Sequence, residues 1–454
     1  MKNDKKHISP TRRIGVSFLA VIIIGALLLS LPVCHNKTIP FIDHLFTATS
    51  ATCVTGLVSV VVAEEYTVLG QLIIILMIQI GGLGFLTLMS MFLVKFKKRL
   101  SYTNKILMQE ALNQNSLKEI GVYIQRVIEY TIFFEGLGAL LLAFVFVPDY
   151  GFLKGMYYAV FHSISAFCNA GFDVLGSSSL IAYSNHILVN LTISFLIIAG
   201  GLGFVVWIEL KEKIVQLLKR KVRIKKAIQS LSVHTKIVLT MTMTLLISGS
   251  VLFLILENNN VLNGMPLSSK GLISFFQSVT LRTAGFASVD MAALKDATKF
   301  MMCIYMFIGG SPAGTAGGIK TVTFALILLS CYSLMKGKDG ISAFKRKLSD
   351  VMVKRALMIS FITLMISFMS LLILSVTENQ SFIDLMFEVF SAVATVGLTA
   401  GLTPLLTNAG KIIIIFLMYV GRIGPITMLL IFVKRHNQLN RKEIEYPQSD
   451  VLIG

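Results

Sequence analysis

Phe46-Thr47-Ala48-Thr49-Ser50-Ala51-Thr52-Cys53-Val54-Thr55-Gly56-Leu57 is the stretch that decides how this chain folds. It closes an apolar segment that starts near Phe41 and is too short to cross a bilayer of ~30 Å. It then runs through a threonine-rich turn into a glycine followed by a large apolar residue. The same pattern returns three times. With Gly56, Gly171, Gly285 and Gly397 as anchors, the intervals are 115, 114 and 112 residues. Ten positions before each anchor stands a phenylalanine: Phe46, Phe161, Phe275 and Phe387. Six before stands Ser50, Ser165 or Ser391; the third copy has Val279 there, beside Ser278. Leu57, Phe172, Phe286 and Leu398 follow the anchors.

Working outward, each anchor leads to a second glycine motif: Gly81-Gly82-Leu83-Gly84-Phe85, Gly200-Gly201-Leu202-Gly203-Phe204, Gly309-Gly310-Ser311-Pro312 and Gly421-Arg422-Ile423-Gly424-Pro425. These lie within long apolar blocks. Ile14 to Leu31, Leu69 to Val94, Val127 to Val147, Ile187 to Ile208, Ile237 to Leu256, Leu357 to Val376 and Ile412 to Val433 are each long enough, or nearly so, to span a membrane. An eighth block, Phe300 to Leu334, is interrupted. With 55% hydrophobic and 14% charged residues and a mean hydropathy of +0.78, a soluble domain is excluded. The first block reads as a span and not as a cleavable signal, since no soluble domain follows it.

The net charge of +18 is distributed by topology. Basic clusters at Lys2–Arg13, Lys95–Arg99, Lys211–Lys226, Lys336–Arg355 and Lys434–Lys442 fall on one side of eight crossings. The opposite loops hold Asp43, Glu64, Glu65, Asp149, Asp173, Glu257, Asp290, Asp296, Glu378 and Asp384. This is the positive-inside pattern, with both termini cytoplasmic, and it makes nucleic-acid binding an unneeded explanation. The five cysteines form no metal or disulfide pattern.

The expected fold is an all-α membrane protein of four parallel helix–pore-loop–helix repeats, with eight spanning helices around a central pore. The repeats occupy 14–98, 125–210, 236–335 and 354–434, between an N-terminus at 1–13 and a tail at 435–454. Half-helices that end near mid-membrane point their negative ends toward the axis. Non-helical backbone at that depth must be buried or line water, and its carbonyls can replace a cation's hydration shell. The anchor glycines supply positive φ and keep a Cβ out of the ion path. The second glycine motifs read equally as helix-packing contacts. A cation pore follows, with an alternating-access secondary transporter as the alternative. An enzyme is not indicated, because no nucleophile, base and ligand cluster is found.

The four loops are Thr52-Cys53-Val54-Thr55-Gly56, Cys168-Asn169-Ala170-Gly171-Phe172, Arg282-Thr283-Ala284-Gly285-Phe286 and Ala394-Thr395-Val396-Gly397-Leu398. They resemble the filters of the Trk/Ktr/HKT superfamily of K⁺ transporters, most of all the membrane subunits of bacterial Ktr systems (the KtrB type). The resemblance implies a K⁺-channel-like fold and a homodimer in the cytoplasmic membrane of a bacterium. It also implies K⁺ bound at the four loops and a cytosolic RCK ring of the KtrA or KtrC type. That partner is where ATP/ADP or NAD(H) would bind, with no cofactor in this chain. Glycine in all four loops implies a preference for K⁺ over Na⁺. Arg282 departs from the other loops and is expected to turn back toward an acid.

The interruption in the third repeat is Gly310-Ser311-Pro312-Ala313-Gly314-Thr315-Ala316-Gly317-Gly318, followed by Ile319 and Lys320. Proline and clustered glycine disfavour a continuous helix; a kinked helix is the alternative. A phosphate-binding loop is rejected, because Ile319 breaks the motif and no strand precedes it. Arg422 stands where repeats one and two have Gly82 and Gly201, at a depth where charge is costly and functional by default. In the family the resemblance names, the matching loop and arginine lie beneath the filter as a gate. Glu129 and Glu135 fall in a span with no assigned role.

Overall fold

The structure, a computed structural model, describes residues 10–84, 117–220, 223–337 and 340–424. The basic clusters at Lys95–Arg99 and Lys434–Lys442, most of the first, and the ends of the blocks beyond Gly84 and Gly424 lie outside the described residues.

Four chain segments repeat one order: a long helix, a half-length helix, a loop, and a second helix. The first unit uses Pro10–Leu29, Phe41–Cys53 and Val68–Leu83. The second uses Leu117–Tyr150, Phe152–Phe167 and Ile187–Leu202. The third uses Val233–Glu257, Leu267–Thr280, and a second helix split into Asp296–Phe307 and Thr321–Met335. The fourth uses Asp350–Thr377, Phe382–Val393 and Asn408–Ile423. At ~1.5 Å per residue the half-helices, of 13, 16, 14 and 12 residues, reach about two-thirds of the way across hydrocarbon or less, save the second.

Among the described residues, three helices are long and apolar enough to cross a membrane: Gly121–Tyr150, Val233–Glu257 and Asp350–Thr377. The block Ile187 to Ile208 is not straight. It breaks at Gly203 (φ 89°, ψ 141°) into Ile187–Leu202 and Phe204–Leu218, bent by 101°. Gly84 (φ 81°, ψ 130°) and Gly424 (φ 92°, ψ 138°) end their helices with nearly the same backbone. The motif glycine after the apolar residue is thus a helix terminator in three units, using the positive φ that glycine alone adopts freely.

The units close on one another. The second helix of each packs on the half-helix of the next: Val68–Leu83 on Phe152–Phe167, Ile187–Leu202 on Leu267–Thr280, Asp296–Phe307 on Phe382–Val393, and Asn408–Ile423 on Phe41–Cys53. Two of these seams carry matched ion pairs. Lys299 Nζ meets Asp384 Oδ1 at 2.7 Å, and Lys411 Nζ meets Asp43 Oδ1 at 2.5 Å. Both lysines stand 14 residues after an anchor glycine and both aspartates 13 before one. At the first seam Tyr157 Oη donates to Gln71 Oε1 at 2.7 Å instead. Buried charges must be paired to be tolerated, so these contacts fix the order of units.

Candidate functional site

The four loops meet. A Cβ built on Gly56 would lie 2.5 Å from the Ala170 carbonyl oxygen, one on Gly171 2.6 Å from Ala284 O, and one on Gly285 2.5 Å from Val396 O. One on Gly397 would collide with Thr55 O. Each anchor therefore abuts the carbonyl preceding the next unit's anchor, and the contact closes from the fourth unit to the first. Their φ values are 96°, 67°, 80° and 97°.

A second regularity is not visible in the side-chain pattern. Val54, Asn169, Thr283 and Thr395, each two residues before an anchor, are left-handed at φ 57°, 60°, 63° and 52°. Such residues cost on the order of 1–2 kcal/mol each and persist where the surroundings hold them. The half-helix ends hold them here. Ser50 Oγ accepts from Gly56 N at 3.0 Å and Ser391 Oγ from Gly397 N at 3.1 Å. Ser165 Oγ donates to Phe172 O at 2.7 Å. In the third unit Thr280, not Ser278, takes this part, donating to Phe286 O at 2.8 Å; Ser278 bonds Leu246 O. Leu57, Phe172, Phe286 and Leu398 are all buried, anchoring each loop outward.

The residues expected to line the site are buried around this ring: Thr52, Cys53, Val54 and Thr55 in the first loop, Cys168, Asn169 and Ala170 in the second, Thr283 and Ala284 in the third, Ala394, Thr395 and Val396 in the fourth. The hydroxyls of Thr52, Thr55, Thr283 and Thr395 have no protein partner. Arg282 is buried but does not meet an acid: no carboxylate among the described residues pairs with it, and its Nε and Nη2 are unpartnered. Its carbonyl accepts from Asn169 Nδ2 at 3.2 Å.

On one side the ring opens into a cavity of about 350 Å³ whose lining includes all four anchors. Its charged lining residues are Asp173 and Asp290. Burial raises the Asp173 carboxyl to about 6.

On the other side lies the break in the third unit. The chain from Gly309 to Gly318 is non-helical, so the kinked-helix alternative does not hold. Its ends are joined: Ile308 and Ile319 form a parallel bridge, and Gly309 N donates to Ile319 O at 2.9 Å. The loop sits on the second unit's glycine motif, where Ser311 N donates to Gly201 O at 2.9 Å, Thr315 N to Gly200 O at 3.2 Å, and Phe204 N to Ala313 O at 3.0 Å. Thr315 Oγ1 donates to Phe167 O at 3.1 Å and to Asn169 Oδ1 at 3.0 Å. Gly317 and Gly318 pass against Thr395 and Ala394 of the fourth unit. The third unit lies between the second and the fourth in the ring, so the loop crosses from one neighbour of its own unit to the other, against the ends of their half-helices.

Arg422 is brought to this loop. Nη1 donates to Thr315 O, and Nη2 to Gly81 O and, at 3.3 Å, Gly82 O of the first unit. The remaining loop residues, Gly310, Pro312, Gly314 and Ala316, lie within this crossing, and Lys320 Nζ donates to Ala316 O at 2.6 Å. Glu135 accepts Gln79 Nε2 at 2.7 Å on both oxygens, and Glu129 accepts Gln125 Nε2 at 2.9 Å. The first bond links two units behind Cys168.

Known proteins resemble this chain in sequence and in fold. The family model TrkH, described as cation transport protein, matches residues 7–444. The potassium/sodium uptake protein NtpJ of Enterococcus hirae is 38% identical, over 100% of this chain and 99% of its own. The Ktr system potassium uptake protein B of Bacillus subtilis is 39% identical, over 98% and 97%. The crystal structure of the potassium transporter TrkH from Vibrio parahaemolyticus superposes with a TM-score of 0.71 at 16% identity, covering 95% of this chain and 86% of that one, and shows the shared fold. The chain belongs to the TrkH family of cation transport proteins.

Proposed function

We propose that this protein takes up K⁺ across the cytoplasmic membrane through the ring of four loops, with Gly309–Gly318 and Arg422 as its gate. The observation that carries the reading is the closed contact of Gly56, Gly171, Gly285 and Gly397 with their neighbours' carbonyls. A ring of carbonyls at one level replaces a hydration shell without supplying net charge, which is how a monovalent cation is dehydrated at low cost. The unpartnered threonine hydroxyls add further oxygens. Asp173 and Asp290 concentrate cations at the outer mouth. The loop crosses the path on the inner side, and Arg422 adds a positive charge there.

Both termini are cytoplasmic in this reading, and the protein is a homodimer under the control of a cytosolic RCK ring of the KtrA or KtrC type. Nucleotide would bind the ring, and the Lys211–Lys226 and Lys336–Arg355 segments would dock it. The names of the relatives, potassium uptake proteins of Ktr systems, support this assignment. The experiment is ⁸⁶Rb⁺ uptake into liposomes holding the purified chain, competed with K⁺ and Na⁺, with and without the ring. Competition by K⁺ far better than by Na⁺ is expected. Equal competition by the two would contradict the filter, and tight ATP binding by the chain alone would contradict the division of labour.

A further inference from the structure

A cavity of about 220 Å³ lies between the end of the crossing loop and the fourth unit. That is many times the ~10–15 Å³ that holds one water. Its polar lining is Lys320, Arg422, Thr323 and Thr363, and the rest is glycine or aliphatic. Two cations therefore face one space with no acid among the described residues that line it. Neither forms an ion pair among the described residues. Among the described residues their hydrogen-bond partners are neutral carbonyls: Ala316 for Lys320, and Thr315, Gly81 and Gly82 for Arg422. Lys320 is also the N-cap of helix Thr321–Met335, and Thr323 lies in its first turn, so the positive end of a 15-residue helix faces the same cavity.

Two like charges and a helix N-terminus converging at low dielectric repel one another, and an anion seated between them relieves that repulsion. The arrangement has the composition of an oxoanion site: a fork donor, an ammonium, a hydroxyl and backbone N–H groups. Thioether and carboxylate ligands, which would favour a metal, are absent among the described lining residues. We propose that this cavity binds a phosphate-type anion, held between Lys320 and Arg422. The anion comes either from free phosphate or from the headgroup of an anionic lipid. Bound there, it offsets the two charges that oppose a cation beneath the ring. That consequence for flux rests on the gate reading; the binding itself does not.

The test separates the two. The full chain, purified in phosphate-free maltoside micelles, is dialysed against ³²P-labelled inorganic phosphate. In parallel it is placed in nanodiscs of phosphatidylcholine with or without phosphatidylglycerol, and retained lipid is counted by native mass spectrometry. Lys320→Gln is compared with Lys320→Arg and with Thr323→Asp, which puts an acid into the cavity. Saturable phosphate binding, weakened about tenfold by Lys320→Gln, retained by Lys320→Arg and lost in Thr323→Asp, identifies free phosphate as the source. Retention of phosphatidylglycerol with the same variant order identifies the lipid. Absence of both, or binding equal in Lys320→Gln and the parent, overturns the site. Should Lys320→Gln not fold, Thr323→Asp alone decides. If binding is confirmed but ⁸⁶Rb⁺ flux ignores phosphate and lipid charge, the gate reading fails and the site stands.

Discussion

The segment Gly309–Gly318 touches the second and fourth of the anchor loops, yet loops and segment are built on opposite rules. The loops repeat one backbone four times: a left-handed residue two before the anchor, a glycine with positive φ, and a buried apolar residue after it. Their side chains differ, from Thr55 to Ala284, while the backbone is kept. The segment Gly309–Gly318 occurs once, and its partner Arg422 occurs once. A function that needs equal ligands from all sides needs the repeat. A function that must be switched needs one element able to move without carrying the other three. Under the proposed function, the difference between the regions is a division between selecting and gating.

The largest effect that would break this comparison is at an anchor. Gly171→Asp, or Gly56→Ser, adds a Cβ within 2.6 Å of a neighbouring carbonyl at a φ that side chains rarely adopt. A strain of ~3 kcal/mol at the ring corresponds to about a hundredfold in rate. Rubidium uptake is expected to fall by that order, or the K⁺/Na⁺ preference to collapse, in protein that still inserts. Aspartate at Gly285 or Gly397 is expected to do the same, since the four are equivalent. Unequal effects would weaken the equivalence.

The next effect has the opposite sign. Deleting Ser311–Gly318 removes the crossing while the bridged ends at Ile308 and Ile319 remain adjacent. Flux is expected to rise about tenfold, a barrier change of ~1.4 kcal/mol, and to lose its dependence on the partner ring. Arg422→Ala is expected to raise it less, by about threefold, because the loop still blocks sterically. Uptake assays with and without the ring distinguish these outcomes.

Much of this was legible in the sequence, and particular residues show why. The anchors, the phenylalanines before them and the helix break at Pro312 are dictated by the chemistry of single residues. Glycine has few other reasons to recur after a half-helix. The left-handed Val54, Thr283 and Thr395 were not legible, because β-branched residues disfavour that conformation and the half-helix ends impose it; Asn169 alone is of a type that adopts it readily. Thr280 could have been found, as a hydroxyl one residue from the expected serine, but Ser278 was an equal choice. The pairing of Lys299 with Asp384 and Lys411 with Asp43 was hidden in loop charge counts. Reading those charges at fixed distance from the anchors would have exposed it. The second glycine motif was ambiguous because both readings hold: Gly81, Gly200 and Gly421 admit the half-helix carbonyls of Thr52, Phe167 and Val393, while Gly84, Gly203 and Gly424 end the helix. No signal revealed that Arg282 would be buried without an acid.

A smaller effect sharpens the role of the seams. Asp43→Asn leaves Lys411 buried and unpaired, a loss on the order of 3 kcal/mol. A lower midpoint in thermal denaturation is expected, with part of it regained in the double variant Asp43→Asn/Lys411→Gln. The smallest concerns the outer mouth. Asp173 is held near 6 by burial, so its charge is present above that pH and lost as pH falls through it. Uptake at limiting Rb⁺ is expected to drop about twofold as external pH is lowered from 7.5 to 5, within the range that a single vestibular charge supplies. In Asp173→Asn it is expected to be low throughout and flat.

The most direct test of the ring itself is to locate the ion. Crystals of the protein grown in Rb⁺ are measured at the rubidium absorption edge. Anomalous density on the axis between the carbonyls of Thr55, Ala170, Ala284 and Val396 is expected, disappearing when Na⁺ replaces Rb⁺. An ordered ring with no anomalous density, and rubidium bound elsewhere along the chain, would contradict it.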